Sequence, residues 1–174
     1  MTDTALASYR LHVIAATAAD AVQHAGGWLF DHVMAGWKVT VVLVDAGGAQ
    51  ALQILGADAA PLDSGVLEES PRALGVSAEL YTGDPRLRRL VRDIADHPDV
   101  EVLLWDPTAP TAEQGVGVVR YRLGAAARAF KAEALAAAGS GRTSLSPTET
   151  FRTVARQRLP PHADLATADA LSQG

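Results

Sequence analysis

Residues 11–45 read as strand, turn, amphipathic helix and strand, a unit that commits a chain to a parallel sheet covered by helices. Leu11-His12-Val13-Ile14-Ala15 is a short, mainly apolar run, and Val39-Thr40-Val41-Val42-Leu43-Val44 is a second, rich in β-branched residues. Between them Val22, Gly26, Leu29, Phe30 and Val33 recur at helical spacing. Strands joined through a helix pair in parallel, since a crossover of that length returns the chain to the same end of the sheet. Ligands of such sheets bind beyond the carboxyl ends of the strands, so chemistry is expected at the first turn. That turn reads Ala15-Ala16-Thr17-Ala18-Ala19-Asp20 and lacks the glycines and catalytic groups that usually occupy it.

The pattern continues downstream. Ala49 to Leu55 reads as a short helix ended by Gly56, and Ala57 to Leu62 as a third strand that Pro61 confines to an edge. Asp63 to Gly75 reads as loop with one helical turn, and Ser77 to Tyr81 alternates as a fourth strand. Asp84-Pro85 is a helix start, an N-cap followed by proline at the first helical position, and Leu87, Leu90, Val91 and Ile94 form its apolar stripe. Val100 to Trp105 is a further strand, entering a polar loop from Asp106 to Gly115. Arg122 to Ala138 reads as a long alanine-rich helix. Ser146-Pro147-Thr148-Glu149 has the form of a capping box opening a last helix, with Phe151, Val154 and Ala155 on one face. The expected architecture is a Rossmann-like α/β three-layer sandwich with a mostly parallel sheet of about five strands and C-terminal helices. It is expected as a single domain over residues 1–159, with a polar tail at 160–174.

Composition narrows the function classes. With 174 residues the chain can bury a substantial core, and with no cysteine it has no disulfide, thiolate nucleophile or cysteine zinc site. A net charge of −5 argues against broad nucleic-acid binding, which relies on clustered cations. No apolar run approaches the ~20 residues that span a bilayer, and Met1-Thr2-Asp3-Thr4 does not open like a signal peptide, so the expected location is cytoplasmic, with no membrane partner. Abundant alanine and arginine beside only two lysines, Lys38 and Lys131, suggest a GC-rich genome of the actinobacterial type.

Candidate sites differ by residue type and place. Thr17, Asp20, Asp45, Tyr81 and Asp106 lie at expected strand ends and could converge on a small ligand. Asp45 stands where a dinucleotide fold carries its ribose-binding acid, but Gly26 and Gly27 come too late for a pyrophosphate turn. Gly139 to Thr143 fails as a phosphate loop, because it follows a helix and has Arg142 where lysine is needed. Asp20 and His24, four residues apart, could supply two legs of a metal site, although a surface helix whose outer face packs on something else is the simpler reading. His24, Trp28, Asp31 and His32 share a face away from the Val22–Leu29–Val33 stripe, which suggests an interface. Trp28 is expected to be covered either by a second subunit or by the chain's own segment after Gly139. Arg86, Arg88, Arg89 and Arg92, interleaved with Asp93 and Asp96, read as a solvated helix face.

The first turn and the segments after it resemble the PIG-L-type zinc-dependent deacetylases of N-acetylglucosamine conjugates. That family has a strand, a His-Pro-Asp-Asp-Glu turn, an Ala-Gly-Gly, a helix, and an Ala-Gly before a β-branched strand. Here the corresponding residues are Ala15 to Val22, Ala25-Gly26-Gly27, Ala35-Gly36 and Val39-Thr40-Val41-Val42. Leu55-Gly56, Leu62, Gly65 and Pro98-Asp99-Val100 extend the likeness, which covers about Leu11 to Asp106. The resemblance implies the fold but not the zinc site. The family's metal-binding His falls on Thr17 and its general-base Asp on Ala19; only its second metal-binding Asp is matched, by Asp20. Its later His-Pro-Asp-His has no counterpart, since residues 106–120 hold no histidine and His97-Pro98-Asp99 precedes the strand instead of following it. Descent with loss of the site and a shared βαβ framework both account for this pattern. The expectation is a non-catalytic binding or interaction module without metal or cofactor, self-associating and open to a small-molecule ligand. The alternative is an enzyme or sensor using the strand ends.

Overall fold

The computed structural model describes residues 9–105, 117–140 and 145–154. A seven-stranded mixed sheet runs in the order β3-β2-β1-β4-β5-β7-β6. Its strands are β1 (Arg10–Ala15), β2 (Lys38–Leu43), β3 (Asp58–Pro61), β4 (Ala73–Ser77), β5 (Glu101–Trp105), β6 (Val118–Arg122) and β7 (Thr148–Thr153). The helices are α1 (Ala18–Met34), α2 (Ala49–Ile54), α3 (Ala78–Gly83), α4 (Pro85–Ala95) and α5 (Ala125–Ala137), with a 3-10 turn at Val66–Glu68. None of the described helices is long and apolar enough to cross a membrane.

The leading βαβ unit forms as its pattern requires. β1 pairs in parallel with β2, Leu11 opposite Val39 and Ala15 opposite Leu43, and on its other side with β4. Strand addition reverses direction at β1, the topological position at which open α/β sheets form a crevice. β3 is an edge strand ending at Pro61, which has no N–H to offer a further neighbour.

Alternation divides the core between the two faces of the sheet. Leu11, Val13, Ala73, Leu103 and Trp105 face α1, α2 and α5, with Phe151 of β7 in the same cluster. Ile14, Leu74, Val76 and Val102 face α4, meeting its Leu87, Val91 and Ala95. Helix α4 begins as expected: the Asp84 carboxylate accepts the Arg86 and Leu87 N–H groups, and Pro85 occupies the first turn.

Four expectations need correction. The sheet has seven strands rather than about five, and β7 and β6 add to the parallel set in antiparallel sense. The fourth strand is Ala73–Ser77, and the stretch expected as a strand from Ser77 to Tyr81 instead opens α3; buried Ala73, Leu74 and Val76 carry the sheet pattern at the end of the expected loop. The long helix begins at Ala125, because Val118 to Arg122 pairs with β7. The capping box opens no helix. Thr148 to Thr153 is a strand in which Glu149 and Phe151 are buried with the two-residue period of a sheet, and pairing to β5 and β6 overrides the local helix signal. The expected loop from Asp106 to Gly115 lies outside the described residues, as does the tail from 160.

Candidate functional site

The carboxyl ends of β1, β4 and β5 converge on Asp20. Thr17, in extended conformation, caps α1 by accepting the Asp20 N–H on Oγ1 at 3.1 Å, which places Asp20 in the first turn above the sheet. The Trp105 indole N–H, from the end of β5, donates to Asp20 Oδ1 at 3.4 Å. His24 Nε2 lies 3.6 Å from the same oxygen, one turn along the helix. Burial pushes the Asp20 carboxyl above the usual carboxylate range, against the pull of His24 and the hydrogen bonds of Trp105 and Ser77.

Other candidates stand apart. Asp45 is exposed beyond β2, with its N–H donating to the Ala16 carbonyl at 2.9 Å. Tyr81 packs with the α4 cluster on the opposite face, and its hydroxyl accepts from Arg92 Nε at 3.2 Å. Asp106 lies outside the described residues. Thr17 and Asp20 are therefore neighbours, and the backbone of exposed Asp45 adjoins their turn, while Tyr81 belongs to different surroundings.

The interface candidates are engaged within the chain. Trp28 does not project away from the core: it is 4% exposed, packed 5.1 Å centroid to centroid from Phe151 and close over Gly75 of β4. Helix α1 is held between the sheet and α5, so residues off its expected stripe are also buried. Of the two covers anticipated for Trp28, the segment after Gly139 supplies one through Phe151. His32 donates from Nδ1 to the Trp28 carbonyl at 2.8 Å and sits edge-on to both Trp28 and Trp37. The Tyr121 hydroxyl donates to Asp31 at 2.5 Å.

The most strongly built polar feature joins a residue expected as part of a helix cap to one expected on an alanine-rich helix. Lys131 of α5 and Glu149 of β7 form an ion pair at 2.8 Å with side chains 2% and 1% exposed. Glu149 also accepts the Gly27 N–H at 3.0 Å and the Trp28 N–H at 2.7 Å, from the middle of α1. Close approach is possible because Gly26 and Gly27 carry no side chain. A β-carbon at Gly26 would stand 3.2 Å from Lys131 Cγ, and one at Gly27 only 2.0 Å from Leu123 Cδ2. Burial pushes Glu149 upward, with the Lys131 ammonium and the two N–H groups opposing it. The pair forms part of the wall of a cleft of about 190 Å³ lined also by Gln23, His24, Ser146, Thr148 and Thr150. His24 thus connects the Asp20 cluster to this cleft. The signals available in the sequence are the glycine pair inside a helix, one lysine in an alanine-rich helix, and the alternation of Glu149 with Phe151.

No protein-family model matches the chain, and no curated protein does. Solved structures do. The A40926 pseudoaglycone deacetylase Dbv21 is similar at 16% identity and a TM-score of 0.64, covering 87% of this chain and 99% of that one. The zinc-inhibited form of teicoplanin deacetylase Orf2 has 16% identity and a TM-score of 0.62, covering 87% and 100%. The conserved protein TT1542 from Thermus thermophilus has 16% identity and a TM-score of 0.58, covering 87% and 97%. The chain shares the α/β fold of these proteins over nearly their whole length.

Proposed function

We propose that this chain is a binding module built on a deacetylase-like fold whose zinc chemistry has been replaced, and that it uses the carboxyl end of the sheet without hydrolysing its ligand. The observation that carries this reading is the occupation of the first turn. Thr17, where the resembling family has a metal-binding His, commits its hydroxyl to capping α1, and Ala19, at the general-base position, has no polar side-chain atom. A catalytic zinc ordinarily needs three protein ligands and an activated water. Asp20 and His24 supply at most two, and the described residues contain no group of three or more His, Asp or Glu suited to a metal. Among the described residues the donor set does not fit the zinc of a deacetylase. Asp20, raised by burial and hydrogen-bonded to Trp105, acts here as an anchor for the turn.

Metal analysis tests the reading. Protein purified without added metal is expected to carry no stoichiometric zinc and to leave N-acetylglucosamine intact. Stoichiometric zinc that disappears in Asp20→Ala, together with acetate release, would overturn it.

A further inference from the structure

We infer that the cleft between α1, α5 and β7 is the ligand site, and that it takes a small neutral molecule presenting a carbonyl oxygen. This deepens the binding function proposed above and rests on that reading. An ammonium group has three hydrogens to donate. Lys131 is buried, yet among the described residues its Nζ meets a single acceptor, Glu149. Glu149, by contrast, already accepts three bonds of the about four its carboxylate can take: Oε2 receives Lys131 and Gly27, and Oε1 receives Trp28. The unused hydrogen-bonding capacity of the pair therefore lies mainly on the donor side, two ammonium hydrogens against about one lone pair on Oε1. Gln23, Ser146, Thr148 and Thr150 add polar groups around the same space.

Charge decides between the kinds of oxygen that could enter. The Lys131 charge is already balanced by Glu149 at 2.8 Å, and His24 faces Asp20 at 3.6 Å. A carboxylate ligand would lose its hydration and stand beside Glu149 with no uncommitted cation among these groups, a costly arrangement in a partly buried site. An amide carbonyl accepts the same hydrogens without carrying charge.

The chain's two lysines provide the measurement, since the exposed Lys38 is an internal control for Lys131. In protein labelled with nitrogen-15 at lysine, formamide and formate would be titrated while the two ammonium signals are followed. Both probes are nearly isosteric and differ in charge, and so small a ligand binds no tighter than about millimolar. Formamide is expected to shift the Lys131 signal to saturation, with Lys38 unmoved and formate several-fold weaker. Thr148→Val, which keeps side-chain volume and strand pairing, is expected to weaken the formamide response several-fold. A stronger response to formate overturns the neutral class. A Lys131 signal that moves no more than that of Lys38 with either probe overturns the site and leaves a cleft that holds solvent. Zinc content is a separate readout, so an absent formamide response and a failure of the non-hydrolytic reading can be told apart.

Discussion

The two faces of this sheet are stabilised in different ways. On the α4 face Ile14, Leu74, Val76 and Val102 meet Leu87 and Val91 in an apolar layer, and the polar bonds that start the helix come from Asp84 within its own first turn. On the α1 face a large apolar cluster encloses a charged pair, and the bonds that fix it join distant parts of the chain: Gly27 to Glu149 across 122 residues, Tyr121 to Asp31 across 90 and Trp105 to Asp20 across 85. The first face tolerates exchange of apolar side chains of similar volume, because the contacts within that apolar layer do not depend on direction. The second requires particular donors and acceptors, because an unmatched charge in the interior costs several kcal/mol. The cleft opens on the second face, where geometry is fixed most tightly.

The largest break in this asymmetry is expected at the ion pair. Glu149→Leu removes the acceptor of two helix N–H groups and leaves the Lys131 ammonium buried without its partner. Loss of one partner of a buried pair costs about 3–5 kcal/mol. Lys131→Met combined with Glu149→Gln removes both charges while keeping a carbonyl for α1, and is expected to cost much less than the two single changes added together. Urea unfolding of the singles and the double measures this. Additive costs would mean that the pair is not coupled and that the contrast between the faces is one of packing alone.

How far each face is legible in the sequence depends on the same contrast. Helix α4 is readable because Asp84, Pro85 and the stripe from Leu87 to Ile94 are local, as are the β-branched runs of β1 and β2. The edge strand at Pro61 is legible for the same reason. Strand β7 is not, because Ser146-Pro147-Thr148-Glu149 satisfies a local helix rule, while the pairing that overrides it lies on β5 and β6. In the structure Ser146 Oγ bonds Thr148, and the expected reciprocal acid points into the core. The candidate site divides in the same way. Asp20 is visible at the strand end, whereas Lys131 and Glu149 acquire meaning only when α5 and β7 bring them to Gly27.

A smaller effect sharpens the comparison through glycine. Gly27→Ala would put a β-carbon 2.0 Å from Leu123 Cδ2 and 2.9 Å from its Cγ, so the buried Leu123 must repack. Overpacking of this kind costs about 1–3 kcal/mol. Gly83→Ala, at the end of α3, meets nothing within 4 Å and has no positive φ. It is expected to stabilise by about 0.4–1 kcal/mol through loss of freedom in the unfolded chain. Thermal unfolding of the two variants should move in opposite directions. Equal shifts would show that the close approach at Gly27 is relieved by easy motion of Leu123.

The smallest effect concerns a buried polar residue on the α4 side, His12, which stands opposite Thr40 of β2. It alternates with Leu11 and Val13 and lies in register with Leu74, which places it on the same face as Ile14. The residue is 2% exposed, and its Nδ1 has no hydrogen-bond partner among the described residues. Burial holds its pKa below the ordinary 6.5, with Arg10 and Lys38 acting in the same direction and Glu69 against it. The folded protein therefore refuses a proton that the unfolded chain accepts as pH falls through 6.5. The His12 contribution is complete above that pH and declines below it, by at most about 1.4 kcal/mol per unit until the folded-state pKa is reached. Asp20 and Glu149, both raised, contribute the opposite slope, since the folded state holds their protons more readily. The difference between parent and His12→Leu isolates the histidine from them. Urea midpoints measured from neutral to mildly acid pH should fall faster in the parent than in His12→Leu. Parallel curves would mean that His12 finds a partner when protonated, and would make this face as dependent on directed polar contacts as the one carrying the cleft.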